Sequence, residues 1–174
     1  MGKINCMVDT ETLGTYFDSV ICSIGAVKFD VEGNVDQNFI DEFYVTIDAK
    51  DSVDHGLRIE QSTLDWWALQ DQEAFKALRK NNIPLKDALV KFTEWFGSKS
   101  MPTWSCGSDF DNVLLESAYR AVNLKRPFTP WDSRCYRTMK NIFPIKPPKR
   151  EGTHHNSLDD AKFQARHLLT IFKS

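Results

Sequence analysis

The chain carries almost no net charge. Its 174 residues hold 22 Lys and Arg against 24 Asp and Glu, for a formal net charge of −2 at pH 7. That balance excludes a strongly basic or acidic protein, so any polyanionic partner must be argued from local charge. Cysteine is scarce too. The four are Cys6, Cys22, Cys106 and Cys135, and no two stand at a C-x-x-C spacing. This argues against a zinc or disulfide framework and for buried thiols in a reducing compartment. No apolar run approaches the ~18 residues needed to span a bilayer, and the N-terminus lacks a charged-then-apolar signal region. Internal repeats and long linkers are absent as well. With 41% hydrophobic residues, the expectation is one soluble, intracellular domain over residues 1–174.

What is present reads as alternating strands and helices. Ile4–Val8 is an apolar strand, Ser19–Phe29 a second, and "DVEGN" at 30–34 a hairpin turn into a third at Phe39–Ile47. Three antiparallel strands in succession therefore open the domain. The pattern then becomes helical. Ser62, with Asp65 three residues on, is the expected N-cap of "STLDWWALQ". Pro84 begins a helix whose Leu85, Ala88, Leu89, Phe92, Trp95 and Phe96 share one stripe. Met101–Cys106 reads as a short strand, followed by helices at about Asp111–Val122 and near Ser133–Ile142. "FPIKPPKREGTHH" is a Pro-rich basic loop. A last helix runs from Ser157, its expected cap, to about Phe172. These elements define a mixed α/β sheet with helical cover.

Asp9 and Glu11 stand out. Side chains two apart on a strand share a face, so these acids converge where the first strand ends. Like charges at that range raise the free energy unless a cation sits between them or one acid is protonated. Hard divalent cations suit such a pair, and two solvated acids in a turn are the plain alternative. "CGSDFDNVLL" adds Asp109 and Asp111 at a helix start, where acids commonly serve as caps or favour the dipole. "HHNSLDDAKFQA" places His155 five residues before Asp160 across another helix start.

Jointly, these pieces resemble the DEDDh branch of the DnaQ-like 3′–5′ exonuclease superfamily. The residues that carry the resemblance are "VDTETLG", "CSIGAVKF", "DFDNVLLESAY" and "HNSLDDA". "STLDWWALQ" looks like the subgroup of the DexA-type phage exonuclease and the mycobacterial 3′–5′ exoribonuclease. The resemblance implies an RNase H-like fold: a five-stranded mixed sheet, first three strands antiparallel, flanked by helices. It places the family's acids on Asp9, Glu11, Asp111 and Asp160, with Asp109 as the competing choice for the third. These would hold two divalent ions, Mg²⁺ or Mn²⁺, for phosphodiester hydrolysis. His155 would be the general base, because imidazole exchanges protons near neutral pH. His154 and Asp159 fall off register by one. Ser157 stands where relatives commonly have a small apolar residue.

The resemblance also implies that Thr10, Thr12 and Leu13 meet the 3′-terminal nucleotide of DNA or RNA. Trp66 and Trp67 cannot both be core on a regular helix, because neighbours lie ~100° apart. One of them, Trp67 by preference, is a candidate stacking face, or else half-buried at a dimer surface. Arg150 closes a basic run that begins at Arg120 and contains one acid, Asp132. Its place beside His155 suggests phosphate contact. A cytoplasmic exonuclease of a bacterium or phage-infected cell, possible as a homodimer, is the leading expectation. A nucleic-acid-binding module without catalysis, or a phosphodiesterase confined to very short oligonucleotides, are the alternatives.

Overall fold

The structure is a computed structural model that describes residues 4–33 and 39–174. Strand β1 (Ile4–Thr12) is the centre of a five-stranded sheet of order β3-β2-β1-β4-β5. β2 (Ile21–Asp30) pairs with it antiparallel, and β3 (Asp41–Thr46) continues antiparallel on the outer side. β4 (Thr103–Ser105) and β5 (Ser133–Cys135) add parallel on the other side. This is the mixed five-stranded sheet that the resemblance implied.

Alternation along β1 feeds two cores. Cys6 and Val8 pack against α4 (Leu85–Phe96) and α5 (Asp111–Ala121), through Leu89, Phe92, Leu114 and Leu115. Met7 faces the opposite way, onto Ala161, Ala165 and Leu168 of α7 (Ser157–Phe172) and Tyr136 of α6 (Tyr136–Ile142). A central strand buried on both faces explains why apolar residues follow one another at Cys6, Met7 and Val8. Among the described residues, no helix is long and apolar enough to cross a membrane. Cys6 and Cys22 are buried thiols, whereas Cys106 and Cys135 are partly exposed.

Several boundaries differ from the sequence reading. β1 does not end at Val8. It pairs with β2 through Glu11 opposite Ser23, so both acids lie within the strand. The expected helix near Ser133–Ile142 begins only at Tyr136, because Ser133–Cys135 pair with β4 as a strand too short to show a period. Helix α2 (Gln61–Ala68) starts one residue after Glu60, so Ser62 is helical and not a cap. Asn156, not Ser157, caps α7: its side chain accepts from the Leu158 and Asp159 N–H groups. Helices α1 (Ala49–Asp54) and α3 (Gln72–Ala77) were not anticipated, each being under two turns. The turn after β2 closes through Gly33 N–H to Asp30 C=O, and Asn34 of the expected "DVEGN" turn lies outside the described residues.

Candidate active site

The site forms where β1 outlasts its neighbour. β4 pairs with β1 only at Cys6 and Met7 and stops at Ser105. Alternate N–H groups of β1 point toward β4, Cys6 donating to Pro102 C=O. Thr10 N–H therefore projects into the gap beyond the end of β4. Asp111, the first residue of α5, fills it. Its Oδ1 accepts from Thr10 N–H at 3.1 Å and from Thr10 Oγ1 at 2.8 Å. Such a crevice, at the carboxyl end of a strand where the sheet order reverses, is where open α/β sheets bind ligands. Asp111 is buried, whereas Asp109 is exposed.

The opposite face of β1 carries the other acids. Asp9 pairs with Gly25 of β2 and Glu11 with Ser23, so small residues flank both carboxylates. Those small residues let α7 descend onto the sheet. A Cβ added at Gly25 would overlap the backbone of Ser157 and Leu158. Ser157 Oγ shares a 2.9 Å hydrogen bond with Ser23 Oγ. This seating delivers Asp160 to the pair. Asp9, Glu11 and Asp160 each offer a carboxylate oxygen, and these lie within 4.8 Å of one another.

Such proximity is electrostatically costly without a cation. Burial, then the neighbouring Asp111, Glu11 and Asp160, hold the Asp9 carboxyl well above its usual range. Burial, with Asp160 and Asp111, pushes Glu11 up to about 8. Burial raises Asp111 to about 6, although the Thr10 hydrogen bonds oppose it. Three hard oxygen donors in a site that resists ionisation fit Mg²⁺ or Mn²⁺, which take carboxylate ligands. A stability test follows. These acids bind protons more tightly folded than unfolded, so their stabilising effect is complete below the ordinary 4.5 of Glu and is lost as pH rises through about 8. The melting temperature of metal-free protein is expected to fall between pH 5 and pH 8.5, and saturating Mn²⁺ to flatten or reverse that slope. A flat profile for the metal-free protein would remove the electrostatic argument.

The loop that carries His155 is tied down by α7. Asp160 accepts the His155 backbone N–H at 3.1 Å, and Asp159 accepts that of Thr153 at 2.8 Å. His155 itself adopts φ +60°, uncommon for a residue with a side chain. Its ring stands edge-on to Trp66, with centroids 5.0 Å apart, and to Trp67 at 5.7 Å. The imidazole thus rests against indoles and not against the carboxylates. Arg150 is not free for phosphate: its guanidinium pairs with Asp160 and lies over the Phe163 ring. Other members of the basic run are also engaged, Arg120 and Arg126 with Glu116 and Arg137 with Cys106 C=O.

A cavity of about 430 Å³ opens beside Glu11, walled by Thr10, Thr12, Thr63, Trp66, Trp67 and Phe110 among others. The expected contact residues are unevenly placed around it. Thr10 is committed to Asp111, and Thr12 Oγ1 donates to Gly14 C=O at 2.7 Å. Leu13 is buried in the core. Trp67 is 1% exposed and donates its Nε1–H to Thr12 C=O. The exposed face belongs to Trp66, which is 42% exposed. The sequence rule that the two indoles divide between core and surface holds, with the roles reversed from the preference for Trp67. Glu60 was overlooked: its carboxylate accepts from Thr15 N–H and Oγ1, and its own N–H donates to Leu13 C=O, joining α2 to the end of β1. Gln164 was overlooked too, though it lies one helical turn beyond Asp160.

These features define the DEDDh exonuclease fold. The nuclease domain of 3′hExo, a DEDDh family member bound to rAMP, is similar with a TM-score of 0.66 at 14% identity, over 99% of this chain and 92% of that one. Exonuclease X in complex with 5′ overhanging duplex DNA gives 0.59 at 15%, over 97% and 91%. The exonuclease I of Methylocaldum szegediense gives 0.65 at 13%, over 98% of this chain but 42% of that one. No curated protein matches the sequence. Residues 4–172 match the 3′-5′ exoribonuclease Rv2179c-like domain, and the chain belongs to that family.

Proposed function

We propose that this enzyme removes mononucleotides from the 3′ end of single-stranded RNA in a reaction that depends on divalent cations. The observation that carries the reading is the convergence of the Asp9, Glu11 and Asp160 carboxylates beside a cavity of nucleotide size. Asp9, Glu11 and Asp160 would hold the cations, with Asp111 contributing from the gap beyond the end of β4. When bound, the cations neutralise charge on the scissile phosphate and make the attacking water more acidic. The chain's own groups do the rest. The cavity takes the terminal nucleoside, with the exposed Trp66 ring as its stacking surface, a contact worth about 1–3 kcal/mol. Thr12 and the β1 end shape the opposite wall, and burial around the carboxylates excludes bulk water. His155 accepts the proton of the attacking water, which requires its ring to leave the two indoles. Arg150 turns from Asp160 to the phosphate backbone. RNA is favoured over DNA because the family is described as exoribonucleases.

The test is direct. A 20-nucleotide RNA labelled at its 5′ end, incubated with protein and Mn²⁺, should yield a ladder shortened one nucleotide at a time, while EDTA stops the reaction. Matched single-stranded DNA should be degraded at least about tenfold more slowly, a difference of 1.4 kcal/mol in the barrier. Intact RNA bound equally by the wild type and by Asp9→Ala would make the protein a binding module. Cleavage restricted to dinucleotides would make it a short-oligonucleotide phosphodiesterase.

A further inference from the structure

Gln164 occupies the same side of α7 as Asp160, four residues and one turn further on. It is 8% exposed. Its Nε2–H donates to Asp9 Oδ1 at 2.7 Å, across 155 positions of sequence. Among the described residues this is the one hydrogen bond that the Asp9 side chain accepts. The other end of the amide is unusual. Gln164 Oε1 is buried and has no hydrogen-bond partner among the described residues.

A buried amide oxygen without a donor is a liability for the fold. Turned over, Oε1 would face an Asp9 oxygen that can donate only while Asp9 is protonated. An apolar side chain of the same length would fill this position between α7 and the sheet without that penalty. The choice of glutamine therefore serves the carboxylate and not the packing. We infer that Gln164 is a positioning residue: its amide fixes the rotation of the Asp9 carboxylate, so that one oxygen is held by protein and the other is left for the divalent cation. Outer partners of this kind typically change metal affinity or activity by about 10–100-fold when removed.

The inference rests on the cation reading of the acid cluster, and Gln164→Met separates the two. Methionine keeps the length and volume but cannot donate. Calorimetric titration of the whole protein with Mn²⁺ is expected to show binding weakened about tenfold or more, with kcat reduced. The melting temperature of the metal-free variant should equal or exceed that of the wild type. Gln164→Asn keeps an amide on a side chain one methylene shorter, too short for Asp9, and should weaken Mn²⁺ binding to a similar extent. Unchanged Mn²⁺ affinity in either variant, or a lowered melting temperature with unchanged affinity, would overturn the positioning role alone. Wild-type protein that takes up no Mn²⁺ would overturn the cation reading and this inference with it.

Discussion

Gly25→Ala is expected to reduce exonuclease turnover by about 10²-fold or more while leaving a folded protein. The added methyl lands on the backbone of Ser157 and Leu158, neither of which can rotate aside. The first turn of α7 must therefore lift from β2. That turn holds Asp160, whose oxygens meet those of Asp9 and Glu11, and it anchors the His155 and Thr153 N–H groups. A displacement of about 1 Å in a catalytic group commonly lowers the rate about 10²-fold. Overpacking adds about 1–3 kcal/mol of destabilisation, or roughly 2–4 °C of melting temperature per kcal/mol at this chain length. Turnover on labelled RNA and Mn²⁺ titration should fall together. A Gly25→Ala enzyme with wild-type kcat would mean that the helix seating does not set the site.

Asp9→Asn should produce a still larger loss of activity together with a gain in stability. Asp9 is the acid that neighbours all three others, and Asp111, Glu11 and Asp160 all raise its proton affinity. Replacing it by an isosteric amide takes a charge from the site and with it a ligand of hard-oxygen character. Loss of transition-state electrostatics of this kind is worth about 10²–10³-fold per group, and the central position of Asp9 argues for the upper end. The metal-free variant, freed of one buried like charge, should melt higher than wild type at pH 8. The gain should shrink toward pH 5, where the wild-type acids already carry protons. A metal-free variant that melts lower than wild type at pH 8 would show that Asp9 serves the fold rather than strains it.

Much of this arrangement was legible in the sequence, and the residues show why. The run "INCMV" announced a strand with two same-face acids just past its expected end, and H-x4-D announced the helix that answers them. The stripe of α4 was readable because twelve residues suffice for helical periodicity to show. β5 was not, since three residues have no period and the strand exists only through its ladder to β4. The seating of α7 left one trace, a glycine within "CSIGAV", where a missing side chain marks close approach of another backbone. Which tryptophan faces the cavity depends on the rotation of α2. That rotation is set by the bonds of Glu60 and of Trp67 Nε1 to the end of β1, contacts between segments about 45–55 positions apart.

The four acids come from β1 and from the two helical layers that cover it. Asp9 and Glu11 face α7, whereas Asp111 reaches Thr10 from the side of α5. A partially assembled chain with a single helical layer in place would own only part of the acid set. Completion of the acid set therefore waits until both helical layers have closed on the sheet.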